Sequence, residues 1–320
     1  MQAWRIAAAG DPARICEIAL PAPGPGEVRV RIAACGLNFA DLLMAAGTYQ
    51  EKPALPFTPG LEFSGHIEAV GPGCAAMTMG RRVAVFAGSG GMAEAAIVPL
   101  NRLVAIPDSM TLVQAAAFQI AYGTAHLALD HKARLQPGET LLVLGAAGGV
   151  GLAAVEIGRR MGARVIACAR GAARLEVARA AGADHAIDSD TPDLKAALKA
   201  LGGVDVVYDP VGGPGFEAAL RASKPEARLL SIGFASGQVP QIAANHLLVK
   251  NLTVIGFYWG GYLAFRPDLV QRSLATLFGW FEAGGLRPHI SHQLTFAQLP
   301  EAMELLRSRA ATGKVVVSVP

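Results

Sequence analysis

Between Gly138 and about Tyr258 the chain alternates short β-branched runs with longer alanine-rich stretches of helical period. TLLVL, RVIAC, HAID, DVVYD and RLLSIGF fit strands; GVGLAAVEIGRRMG, AARLEVARAAG, TPDLKAALKALGG and GFEAALRA fit helices. Strands separated by helices of about 10–15 residues imply crossover connections and a parallel sheet. Gly162, Gly182 and Gly202 stand where helices need a left-handed stop. This half is predicted to be a doubly wound α/β domain.

Residues 1 to about 120 carry another pattern. EVRVRIAA, EFSGHIEAVG, RRVAVFA and EAAIVP alternate apolar and polar positions, broken by PAPGPG, TPG, GPG and GSGG. Closely spaced strands with Gly/Pro turns predict a barrel-like β domain. Pro107, Asp108 and Ser109 then open TLVQAAAFQIAYGTAHLAL, which reads as one long apolar helix joining the halves. After Tyr258 come a helix (PDLVQRSLATLFGWFEAG), a strand, a second helix (AQLPEAMELLRSRAATG) and a last strand, KVVVSVP. This tail is expected to return to the first domain.

A length of 320 residues allows two domains with a sizeable core. The chain is 52% hydrophobic and 17% charged, with net charge +3 and no basic tail or acidic block. That argues against nucleic-acid and membrane partners. Cys16, Cys35, Cys74 and Cys168 lie far apart without a CxxC, so they give neither a disulfide framework nor a four-thiolate zinc site. The opening MQAWRIAAAGDPARIC lacks a signal-peptide pattern, and no apolar run approaches ~18 residues. The expectation is a soluble, cytoplasmic protein.

The chemistry starts at LGAAGGVGLAAVEIGRR. A strand, a glycine-rich turn and a helix bring unpaired N–H groups and a positive helix dipole to one point, which suits a pyrophosphate. The spacing is A-x-G-x-x-G, with Ala146, Gly148 and Gly151 in register and Ala147, Gly149 and Val150 between them. Gly148 would admit a phosphate to the backbone, and Gly151 would let the helix lie close on the strand. About 20 residues on, where a carboxylate would hold a ribose 2′-hydroxyl, stand Ala169 and Arg170, with Arg174 one turn further. A guanidinium can pair bidentately with a 2′-phosphate, so the cofactor expected is NADPH; the bland alternative is a solvated arginine at a helix start.

Several ordered blocks carry a family resemblance: GLNFADLLMAAGTYQ, LPFTPGLEFSGHIEAVGPG, the glycine turn, ARAAGADHAID, VDVVYDPVGG, IGFASG and SRAATGKVVV. Together, over essentially the whole chain, they resemble the zinc-free quinone oxidoreductase (zeta-crystallin-like) branch of the medium-chain dehydrogenase/reductase superfamily. The resemblance implies a GroES-like β-barrel domain from both termini, residues 1–122 and 260–320. It also implies a Rossmann domain of residues 123–259, an active site in the cleft, and a homodimer through the edge of the Rossmann sheet. LTVIGFYW, Leu252 to Trp259, matches the family's edge strand, although apolarity alone fits an interior strand as well.

Zinc-dependent relatives use a Cys-His pair and a His-Glu pair to polarise an alcohol oxygen. Here Cys35 and Glu62 remain without the accompanying histidines, which is too few ligands for a catalytic zinc, and His66 reads as a surface or packing histidine. No metal is expected. Hydride then has to pass to an acceptor that is already electron-poor, a quinone or an α,β-unsaturated carbonyl. Asn38 and Tyr49 are the candidates to donate a hydrogen bond to the acceptor oxygen. Asn38 also fits a helix cap, since it precedes FADLLMAA, and Tyr49 a packing aromatic or a substrate wall.

Other positions follow from the resemblance. Thr124 matches the residue near the nicotinamide amide. Gly233, Phe234, Ala235 and Ser236, and Phe257, Tyr258 and Trp259, match cofactor-lining loops. Arg309 matches an arginine that reaches the adenine phosphate, with Lys314 near it. Ser189 stands where the family often has a tyrosine, which alters the grip on the 2′-phosphate. The leading reading is an NADPH-dependent quinone or enone reductase. Its rivals are an enoyl reductase for acyl thioesters, a zinc alcohol dehydrogenase and a non-enzymatic NADPH-binding protein.

Overall fold

The computed structural model describes residues 1–74 and 78–320. Its chain divides into two compact units, residues 1–120 with 288–320, and residues 121–287.

The first unit begins with a two-stranded antiparallel ribbon, β1 (Gln2–Arg5) with β2 (Arg14–Glu17). β3 (Glu27–Leu37), β4 (Glu62–Val70), β5 (Arg82–Phe86), β6 (Ala95–Pro99) and β7 (Leu103–Ala105) follow. In the second unit the strands are β8 (Thr140–Leu144), β9 (Arg164–Ala169), β10 (His185–Asp188), β11 (Val204–Asp209), β12 (Ser223–Ser231) and β13 (Thr253–Gly256). β14 (Ile290–Thr295) and β15 (Lys314–Ser318) return to the first unit.

Alternation in EVRVRIAA puts Val28, Val30 and Ile32 on one face of β3, fully buried against Phe63, Ile67, Val83 and Val85 of β4 and β5. The sheet runs β14-β15-β3-β4-β5-β7, with β6 also pairing β3. Residues from the two ends of the chain thus share one core, since Val315 and Val317 of β15 join the same cluster.

The second unit has an all-parallel sheet in the order β10-β9-β8-β11-β12-β13. The chain starts in the middle at β8, winds out through β9 and β10, then crosses back to β11. This is the doubly wound Rossmann arrangement, whose ligand crevice lies at the carboxyl ends of the two strands flanking the reversal. Here those ends are Leu144 of β8 and Asp209 of β11. β13 is the terminal strand of this sheet.

The structure departs from the sequence expectation at the joining helix and at the division between the units. The long joining helix is broken into Leu112–Ala116 and Gln119–His126, followed by a π-helical turn, Leu127–Lys132. The second piece has its own anchor, because Glu62 Oε2 accepts the Ile120 N–H at 2.9 Å, a first-turn donor without an intrahelical acceptor. The division between units also comes at residue 288 and not at 260. The helix Pro267–Glu282 stays with the second unit because its apolar face, Val270, Leu274 and Leu277, is buried. Ser273 Oγ lies 2.9 Å from His126 Nδ1, and Trp280 packs edge-on against His126 and under the Arg160 guanidinium.

Candidate functional site

In the second unit the turn after β8 opens the helix Gly149–Arg160. The residue that makes the tight turn is Gly145, one place before the motif as read from the sequence. It sits at φ 59°, and a Cβ there would lie 2.8 Å from Val211 Cγ2. Gly151 is closed to any side chain, since a Cβ would stand 2.2 Å from Gly145 O and 2.9 Å from Ala146 Cα. The helix therefore lies directly on the turn. Ala147 is buried in the turn, Gly148 is exposed at the N-cap without a side chain, and Gly149 and Val150 begin the helix half-buried. This cradle presents helix N-terminal N–H groups to an approaching phosphate and leaves no Cβ at the N-cap to obstruct it.

The neighbouring turn is fixed by Asp209 at the end of β11, which sequence reasoning did not single out. Its carboxylate accepts Val211 N at 2.7 Å and Gly212 N at 2.9 Å, and burial pushes its pKa up. An aspartate closing a strand before Pro-Val-Gly-Gly was the available signal.

At the tip of β9, Arg170 is exposed and pairs with Asp190, Nε to Oδ1 at 3.2 Å. Arg174 Nη1 reaches back to Arg170 O at 3.5 Å. Ser189, exposed, donates its backbone N–H to Ala169 O at 3.0 Å and so extends the β9–β10 ladder by one bond. Gly233, Phe234, Ala235 and Ser236 form the turn after β12, held by Ala235 N to Pro210 O and Ser236 N to Val211 O. Phe257 continues β13 by donating to Ser231 O, half-buried Tyr258 is the N-cap, and buried Trp259 starts the helix Trp259–Phe265. The Trp259 indole lies against Gly123, where a Cβ would fall 2.7 Å from its Nε1, and Thr124 is buried next along that helix. The turns after β8, β9, β11, β12 and β13 all leave the carboxyl edge of this sheet.

The first unit holds a buried polar cluster. Lys314 Nζ, on a residue 5% exposed, donates to Glu62 Oε1 (2.8 Å), Asn38 Oδ1 (2.7 Å) and Leu37 O (2.9 Å). The Asn38 amide donates to Glu62 Oε1 (3.0 Å) and Gly36 O (3.3 Å). Asp41 accepts Asn38 N at 2.8 Å and Gly60 N at 2.9 Å, and burial raises its pKa to about 7. Cys35 Sγ donates to Glu62 O at 3.2 Å, and burial holds its thiol well above the ordinary range.

Two expected roles change here. All three ammonium donors of Lys314 have acceptors inside this cluster, so it is not a cofactor-phosphate contact beside Arg309. Arg309 itself is exposed, at φ 56° after the helix Leu299–Arg307. Asn38 occupies the N-cap position of the helix Phe39–Ala45, and both its amide hydrogens already have acceptors, so it frames the cluster and has no donor left for a substrate. Tyr49 lies half-buried in the loop after that helix. The Lys314–Glu62 pairing, about 250 residues apart in sequence, carried no local signal.

Residues 24–108 match the family model described as "Alcohol dehydrogenase GroES-like domain", and residues 149–275 match "Zinc-binding dehydrogenase". The donors in this chain do not fit a catalytic zinc: Glu62 is already neutralised by an ammonium, the Cys35 thiol is held protonated, and His66 is exposed on β4. Among the described residues, no group of three or more His, Cys, Asp or Glu comes together as a ligand set.

The quinone oxidoreductase-like protein 2 homolog of Nematostella vectensis is 41% identical over 301 residues, covering 92% of this chain and 82% of its own. The solved quinone oxidoreductase of Thermus thermophilus, also determined in complex with NADPH, superposes with a TM-score of 0.88 at 36% identity, over 99% of this chain and 100% of that one. The Escherichia coli quinone oxidoreductase complexed with NADPH gives 0.91 at 27% identity over 99% and 100%. Identity at this level across both units, on the same fold, carries the assignment beyond a shared architecture. The chain belongs to the quinone oxidoreductase branch of the medium-chain dehydrogenase/reductase superfamily.

Proposed function

We propose that this oxidoreductase uses NADPH to reduce quinones or α,β-unsaturated carbonyls, without zinc. The observation that carries the reading is the pairing of a glycine turn closed to side chains at Gly151 with Arg170 just past the next strand and Arg174 in the first turn of the helix after it. The NADPH complexes of the Thermus and Escherichia relatives support the same cofactor.

When bound, NADPH supplies a hydride from C4 of its nicotinamide. The N–H groups of Gly149, Val150 and Gly151 receive the pyrophosphate, and Arg170 and Arg174 neutralise the 2′-phosphate. Thr124, the Gly233–Ser236 turn and Phe257–Trp259 orient the ring. Tyr49 is the phenol assigned to hydrogen-bond the acceptor oxygen as negative charge develops on it, with water supplying the proton to product. The Asn38–Glu62–Lys314 cluster anchors the start of the helix Phe39–Ala45, and Tyr49 lies in the loop that follows that helix. We place the enzyme in the cytoplasm as a homodimer formed along β13, the outermost strand of its sheet.

The deciding measurement is consumption of NADPH, with NADH as control, against 1,4-benzoquinone, 9,10-phenanthrenequinone, small enones and crotonyl thioester. Turnover of quinones or enones supports the reading, thioester turnover alone would replace it with an enoyl reductase, and silence with every acceptor while NADPH binds would refute an enzymatic role.

A further inference from the structure

We propose that Asp190 is a specificity-determining residue: it competes with the ribose 2′-phosphate for Arg170 and so narrows the preference of this enzyme for NADPH over NADH. The inference rests on the NADPH reading above and adds a residue to it. β10 pairs with β9 in parallel register, Asp188 opposite Ala169, so the turns after the two strands leave the sheet side by side. Asp188 ties them together. Its Oδ2 accepts Gly171 N at 3.1 Å, and its Oδ1 accepts Asp190 N at 3.0 Å. The first bond fixes the backbone just after Arg170, where Gly171 takes φ 80°; the second fixes the backbone of Asp190. The result is the Arg170–Asp190 ion pair, both side chains more than half exposed.

The charges of Arg170, Arg174, Asp188 and Asp190 cancel one another. Asp188 has spent both oxygens on backbone N–H groups, whereas Asp190 is held through one oxygen by the guanidinium that a phosphate would engage. A dianionic phosphate arriving there must share Arg170 with a carboxylate and is repelled by it. A 2′-hydroxyl meets no such repulsion and can donate to a carboxylate. Solvent exposure keeps the effect modest, about threefold to fivefold in affinity, and salt weakens it further.

The test is isothermal titration of NADPH and of NADH into wild type, Asp190→Asn, Arg170→Ala and the double variant. Asn keeps the size of the side chain and leaves the Asp188 bond to the residue 190 backbone in place. The expected result is that Asp190→Asn tightens NADPH about threefold to fivefold at low salt, raising the ratio of the NADH to the NADPH dissociation constant by the same factor. The gain should vanish when Arg170 is already alanine. Equal changes for both cofactors, no change for NADPH, or a gain that persists without Arg170 would overturn the role of Asp190 while leaving NADPH use intact. A wild-type protein that does not bind NADPH would overturn the underlying reading as well.

Discussion

At the scale of single residues, the cluster around Glu62 couples four ionisable groups away from solvent, and its consequences are measurable. Among the described residues, Lys314 is the cation that pairs with the Glu62 carboxylate, whose other partners are the Asn38 amide and the Ile120 N–H. Lys314→Met removes it and leaves a carboxylate that is 0% exposed with neutral donors alone. Breaking a buried pair from one side costs about 3–5 kcal/mol. Urea unfolding of Lys314→Met should show a loss of that size, partly recovered in Lys314→Met with Glu62→Gln; a loss below about 1 kcal/mol would mean the pair is not buried in solution. Asp41 gives a pH signature. Its folded-state pKa, about 7, is raised above the ordinary 3.8, so the stability it contributes is fully present below pH 3.8 and is lost as pH rises through 7. At 1.36 kcal/mol per pKa unit the whole swing is about 4 kcal/mol. The stability of wild type relative to Asp41→Asn should therefore fall between pH 4 and pH 8, with parallel curves as the contrary result.

At the scale of elements, the β8 turn and its helix form one rigid piece because Gly151 rests on the Gly145 carbonyl. Gly151→Ala puts a methyl 2.2 Å from that oxygen, backbone that cannot rotate away, so the helix has to lift off the strand. We expect a stability loss of about 1–3 kcal/mol and at least tenfold weaker NADPH binding. Gly148→Ala, whose nearest atom is 3.4 Å away, should keep stability within about 0.5 kcal/mol and lose binding alone. Calorimetry and thermal melts on the two variants separate a packing glycine from a phosphate-facing one. This piece was legible in the sequence, as were β9, β10 and β11, because short β-branched runs bounded by glycine have local causes. The break at residues 117–118 was not legible: Ala116, Ala117 and Phe118 are all buried and keep helical apolarity, and the new start depends on a carboxylate some 58 positions away. The same limit hid the true fate of Lys314 and Asn38. A lysine opening a final strand and an asparagine before a helix look alike whether they face a cofactor or one another. Asp190 escaped notice for a related reason, since its neighbour Arg170 comes from a different strand 20 residues earlier.

At the scale of the molecule, the chain builds one unit out of its two ends and the other out of its middle, so the two should fail separately. β15 lies between β14 and β3, with Lys314, Val315, Val316 and Val317 buried, and it delivers the cation of the Glu62 cluster. A chain stopped after Gly313 therefore loses an interior strand of the first sheet, a strip of its core and the charge that neutralises Glu62, all at once. The second unit loses nothing from its own core, which is made of Leu142, Ile166, Val207, Phe216, Leu229 and their neighbours. Limited proteolysis of the truncated chain should then leave a resistant fragment close to residues 121–287, and NADPH should protect that fragment, because the glycine turn and both arginines belong to it. Hydrogen exchange gives the finer readout: amides of β3 and β4 should exchange as in an unfolded chain while those of β8 and β11 stay protected. Uniform loss of protection across both sets would show that the two units unfold as one cooperative body, and the full-length enzyme would then be expected to melt in a single transition whose midpoint NADPH raises as a whole.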